Sequence, residues 1–125
     1  SLAEWRRKIE NEWSQIRVES VESNMSGELH VGESFSAQAT VYLNNLSPDD
    51  VCVELYVGLV NPSGELVQGD PVSMQAQHEV EYGRYLYEAR ADCNMSGLYG
   101  YTVRILPCHP SLVTQFQPGF IRWAG

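Results

Sequence analysis

Gly97-Leu98-Tyr99-Gly100-Tyr101-Thr102-Val103-Arg104-Ile105-Leu106-Pro107-Cys108-His109-Pro110 decides the fold class of this 125-residue chain. Tyr99, Tyr101, Val103 and Ile105 alternate with Gly100, Thr102 and Arg104. That period of two sends successive side chains to opposite faces of a strand. The strand must stop at the Pro-Cys-His-Pro bend, because proline has no N–H to give to a ladder. Gly97-x-Tyr99-x-Tyr101 also matches the tyrosine corner of immunoglobulin-like sandwiches, in which a tyrosine hydroxyl bonds back to nearby backbone. The inward position two beyond the first tyrosine, a cysteine in antibody domains, is Tyr101 here. This removes the inter-sheet disulfide and leaves the alternation intact.

Working outward, the same period recurs. Phe35, Ala37, Ala39, Val41 and Leu43 alternate with small or polar residues, as do Val51, Val53, Leu55 and Val57, and then Tyr85, Tyr87, Ala89 and Ala91. Shorter strands are expected at residues 17–21, 28–31, 66–67, 72–77 and 120–123. Turns are expected at Asn61-Pro62-Ser63-Gly64 and over Glu79 to Gly83, and a loop from Pro110 to Gly119. Ser47-Pro48-Asp49-Asp50 suits a single capped helical turn, with serine as cap and proline in the first turn. Seven or eight short strands with no helix between them read as an all-β, immunoglobulin- or fibronectin-like antiparallel β-sandwich. Residues 17–125 form this sandwich, and residues 1–16 a connector helix ahead of it.

That helix is amphipathic. Leu2, Trp5, Ile9, Trp13 and Ile16 recur at three- and four-residue steps, with Glu4, Arg6, Arg7, Lys8, Glu10 and Glu12 on the other flanks. So large an apolar stripe must be covered. It either packs on the domain's own sheet, or lies in an interface with a preceding domain through Trp5, Ile9 and Trp13.

Composition narrows the function. With 43% apolar and 19% charged residues the chain is globular, and no apolar run approaches a membrane-spanning length. The net charge of −8, with Lys8 as the one lysine, excludes a cationic footprint for nucleic acid and disfavours anionic membranes. Cys52, Cys93 and Cys108 lack metal-ligand spacing and read as reduced thiols of a cytoplasmic protein. No catalytic array emerges. Cys108 and His109 are adjacent and diverge on an extended chain, and His30 and His78 stand alone. The acidic pairs Asp49/Asp50 and Glu79/Glu81 sit in expected loops, and no glycine-rich phosphate loop is present. Catalytic, cofactor-binding and metal residues are therefore assigned to none. Aromatic rings offer one binding alternative, a sugar-stacking platform with Tyr82, Tyr85 and Tyr87 as candidates, although strand tyrosines more often serve the core.

The segment from Gly100 to Pro110, continued by Leu112-Val113, Phe116 and Gly119-Phe120-Ile121-Arg122-Trp123-Ala124, resembles the end of bacterial and archaeal α-glucan (glycogen, maltodextrin) phosphorylases. The helix leading into Ile16-Arg17-Val18-Glu19, the loop Leu46-Ser47-Pro48-Asp49-Asp50-Val51, and Val53-Glu54-Leu55-Tyr56-Val57-Gly58 are similar to that family's terminal region. The resemblance implies a non-catalytic C-terminal accessory domain of a larger enzyme. That enzyme would use pyridoxal 5′-phosphate and inorganic phosphate to release glucose 1-phosphate from α-1,4-glucan. No catalytic residue carries over, since Lys8 lies on a charged helix flank without a phosphate loop. The implied partner is the parent catalytic body, docked through Trp5, Ile9 and Trp13, with α-glucan as a further possible ligand. A stand-alone carbohydrate-binding sandwich and a generic fibronectin-like interaction module are the rival readings.

Overall fold

The computed structural model describes residues 2–24, 28–29, 31–93, 97–108 and 122–123. Helix α1 (Leu2–Glu12) runs into a single 3-10 turn (Trp13–Gln15), so the expected helix tightens over its last residues. The strands are β1 (Arg17–Ser23), β2 (Glu28–Leu29), β3 (Ser34–Tyr42), β4 (Val51–Val60), β5 (Leu66–Ser73), β6 (Gln75–Glu81), β7 (Arg84–Asp92), β8 (Gly97–Pro107) and β9 (Arg122–Trp123). Every pairing is antiparallel. One sheet has the order β1-β3-β7-β6, and the other β2-β8-β4-β5 with β9 also on β8. The expected loop at Pro110 to Gly119 and the residues His30 and His109 lie outside the described residues. Among those described, no helix is long and apolar enough to cross a membrane.

The alternating residues supply the core from both sheets. Phe35, Ala37, Ala39 and Val41 of β3 and Tyr87, Ala89 and Ala91 of β7 face Val51, Val53, Leu55 and Val57 of β4 and Val103 and Ile105 of β8. Phe35 meets the Tyr101 ring at 6.0 Å between centroids, a tilted aromatic contact between the two sheets. The Tyr99 hydroxyl reaches the side chain of Cys93, the residue just beyond β7.

Two sequence expectations change in space. The weak segments at 66–67 and 72–77 become one eight-residue strand and most of a second, and Glu79–Glu81 belongs to β6 rather than to a turn. β5 pairs with the second half of β4, Tyr56 opposite Pro71, and an edge position tolerates that proline. Met74 then carries the chain from one sheet to the other, its N–H donating to the Val53 carbonyl at 2.8 Å. Trp5, Ile9, Trp13 and Ile16 belong to the same buried cluster as the two sheets. Residues 1–16 and the sandwich thus share one core.

Ser47 caps the turn Pro48–Asp50 with a complete capping box, as its sequence suggests. Asp50 accepts from the Ser47 N–H at 3.0 Å and pairs with Lys8 at 3.3 Å. A second tether joins three elements. The Glu12 carboxylate accepts from Asn44 at 2.6 Å and Asn45 at 3.1 Å, Tyr42 donates to Asn44 at 2.8 Å, and Tyr82 donates to Asn45 at 2.5 Å. The helix end, the β3–β4 loop and the β6–β7 hairpin are thereby held as one corner. Gly83 turns that hairpin at φ +79°, where a Cβ would stand 3.0 Å from the Asn44 carbonyl, so both backbone and space require glycine.

Candidate functional site

Among the described residues, the groups that chemistry would need are dispersed or already engaged. Among the described residues no cluster of three His, Cys, Asp or Glu side chains is arranged to hold a metal. Asp50 is spent on its cap and on Lys8. Glu79 accepts from the Gly83 N–H at 3.1 Å, and Glu81 lies 3.6 Å from Arg84. His78 is exposed on β6.

The interface candidates Trp5, Ile9 and Trp13 are all buried within this domain, Trp13 to 3% exposure. Of the two coverings open to the helix stripe, its own sandwich provides one, so these side chains do not stand free as anchors for a neighbour. The sugar-stacking candidates are not brought onto one surface. Tyr85 and Tyr87 share the inward face of β7 because they are two residues apart. Tyr85 packs against the core and Tyr87 is 3% exposed, with its hydroxyl buried and unpaired. Burial pushes the Tyr87 phenol well above its ordinary pKa. Tyr82, at the hairpin tip, is 72% exposed. A platform of these three rings is not assembled, since strand alternation sends two of them inward.

What the surface does offer is the β6 edge. All seven residues of β6 are exposed, whereas every other strand long enough to alternate has a covered or half-covered face. Val80 (51% exposed) and the Tyr82 ring add apolar area there, flanked by Glu79 and Glu81. An edge strand with no cover on either face is a ready surface for another protein segment. The sequence showed only part of it, a weak strand ending at Gln77 and a polar turn from Glu79, because polarity alone does not distinguish a turn from an uncovered strand.

Beside this edge lies a charged cluster on the outer face. Arg17 and Arg84 stack on the Tyr42 ring, 4.5 Å and 4.9 Å from its centroid. Glu19 binds Arg84 through both oxygens, at 2.7 Å and 3.2 Å, and meets Arg17 at 3.0 Å. The Arg84 hydrogen bond, with its charge and that of Arg17, holds the Glu19 carboxyl below its ordinary 4.5. A lowered carboxylate pKa stabilises the fold above the unfolded value, and that contribution disappears as pH falls through the folded value. Glu19→Gln should therefore cost about 0.5–1 kcal/mol at pH 7 and nothing well below pH 4. Urea unfolding of both proteins across this range measures it, and equal curves at pH 7 would leave the pair without a stabilising role.

The family model for the glycogen phosphorylase C-terminal domain matches residues 13–125. The chain belongs to the glycogen phosphorylase C-terminal domain family. It is 32% identical to a glycogen phosphorylase of Mycobacterium bovis over 98% of its own length, and equally to one of Mycobacterium tuberculosis. A maltodextrin phosphorylase of Thermococcus litoralis is 30% identical over 99% of the chain. The chain spans about 14% of the length of each of these relatives. No solved structure matches it. The family match takes in β1 to β9 and begins at Trp13, so it includes the 3-10 turn and leaves α1 outside. In this phosphorylase C-terminal domain the residues do not fit a pyridoxal phosphate site. The one lysine stands on an exposed helix flank, ion-paired with Asp50.

Proposed function

We propose that this domain is a non-catalytic brace of an α-glucan phosphorylase, seated on the catalytic body through the β6 edge and the β6–β7 hairpin. The parent reaction would be phosphorolysis of α-1,4-glucan to glucose 1-phosphate, with pyridoxal phosphate and every reacting group supplied by the remainder of the enzyme. The observation that carries this reading is the fully exposed β6 with Val80 and Tyr82 at its end. The relatives supply the occupant, since each holds this domain as a small part of a far longer phosphorylase chain. The helix stripe takes the first of the two coverings its sequence left open. It closes the domain's own core, and the docking surface lies on the opposite edge of the sheet from β1.

Val80→Asp tests the seat. In the full-length enzyme it should lower the thermal midpoint by several degrees, while the 125-residue domain alone shifts by less than one degree, because Val80 makes no buried contact there. Equal shifts in the two proteins, or none in either, would remove β6 from the interface.

The strand order supports an immunoglobulin-like connectivity as the finer description of the fold. In that scheme β1, β3, β7 and β6 take the places of strands A, B, E and D, and β8, β4 and β5 those of F, C and C′, with β9 as G. Three unbridged cysteines support a reducing compartment such as the cytoplasm.

A further inference from the structure

We propose that Cys52 and Cys108 form a redox-sensitive thiol pair that a hydroperoxide converts to a disulfide, clamping the end of β8 to the start of β4. Strand register brings them together. Val51, Val53 and Leu55 of β4 point inward, so Cys52 shares the outer face with Glu54. Val103, Ile105 and Pro107 of β8 point inward, so Cys108 shares the outer face with Arg104. That the two outer faces coincide is fixed by Glu54 and Arg104, which stand opposite each other and bond at 2.7 Å. Cys52 is opposite Leu106, and the ladder continues past Pro107 with the Cys108 N–H donating to the Asp50 carbonyl at 2.9 Å. The two cysteines are therefore diagonal neighbours on one face, both partly exposed and both unbridged.

The two thiols differ in reactivity. Burial, and after it the neighbouring Cys108 thiol, push Cys52 up to about 12. Cys52 stays protonated and does not attack first. Cys108 is the attacking thiol. It takes the terminal oxygen of a hydroperoxide to give a sulfenic acid, releasing the alcohol (water, from hydrogen peroxide). The Cys52 sulfur then displaces hydroxide from the sulfenic sulfur, and with the Cys52 proton this leaves as water. The two thiols lose two electrons and two protons, and the peroxide O–O bond takes them up.

Diagonal neighbours have Cα atoms about 7–8 Å apart, and a disulfide wants about 4.4–6.8 Å, so closure draws the strand end inward by roughly an ångström. That shift falls on Cys108, the first residue beyond β8, and works against its backbone hydrogen bond to Asp50. Such a bond is strained and readily reduced, the property of a regulatory rather than a structural disulfide. Cys93 is the internal reference. It is buried on the other side of the sandwich core, and burial raises its thiol pKa.

The full-length chain carrying this domain is treated with hydrogen peroxide, alkylated without reduction, and digested with trypsin and a glutamate-specific protease. Residues 34–54, 91–104 and 105–122 then carry Cys52, Cys93 and Cys108 on separate peptides. The expected product is the linked pair 34–54/105–122, with alkylation of both cysteines falling at least tenfold and that of Cys93 unchanged. Dithiothreitol should restore both. Cys52→Ser should leave Cys108 as a sulfenic acid trapped by dimedone, and Cys108→Ser should leave Cys52 reduced at the same peroxide dose. A bridge through Cys93, or independent over-oxidation of Cys52 and Cys108 with no linked peptide, overturns the proposal.

Discussion

Trp13→Ala is expected to destabilise the domain by about 3–5 kcal/mol, a large part of the 5–15 kcal/mol a domain of this size holds. Trp13 lies in the 3-10 turn between α1 and β1 and is 3% exposed. Ile9, Ile16 and Leu43 belong to the same buried cluster, and backbone hydrogen bonds hold Ile16 to Trp13 and Leu43 to Gly83, so the space an indole leaves is filled only in part. The loss therefore combines the lost transfer of apolar surface with an unfilled cavity. Urea unfolding of the isolated domain measures it, and the slope should stay unchanged while the midpoint falls. A change below about 1 kcal/mol would mean that the indole is dispensable to this core.

Leu55→Ala should cost about 2–5 kcal/mol by the same mechanism. Leu55 is in the middle of β4, the strand flanked by β8 and β5, and is fully buried opposite Val103 and Val72. Leu98→Ala is the matched control, because Leu98 is half-exposed near the start of β8 and should change stability by less than about 0.5 kcal/mol. If the two leucines behaved alike, the inward face of β4 would have been misassigned.

Much of the architecture was legible because strand alternation is local. The inward residues of β3, β4, β7 and β8 could be read from a period of two, and the Ser47 cap from four consecutive residues. The apolar stripe of the helix was equally plain, but a period reports only that a face is covered and not by what. β6 was read only in part, as a weak strand ending at Gln77, for the complementary reason. Strand formation at Gln75–Glu81 is imposed by pairing with β7, from Gln75 opposite Glu88 to Glu81 opposite Arg84, and not by its own composition. The tyrosines at 82, 85 and 87 looked alike in sequence and separate in space, since the hairpin tip releases one and the strand face encloses two.

Sequence alone thus determined the fold class, the inward residues and the family, because these follow from local periodicity and from motifs that are contiguous in the chain. Tertiary structure alone decided that Trp5, Ile9 and Trp13 close this domain's own core, that β6 is left uncovered, and that Cys52 and Cys108 are diagonal neighbours across two strands. The reason is physical. Each of these depends on which surfaces meet across tens of residues, and the free energy of that meeting comes from burial and register, which no single segment encodes.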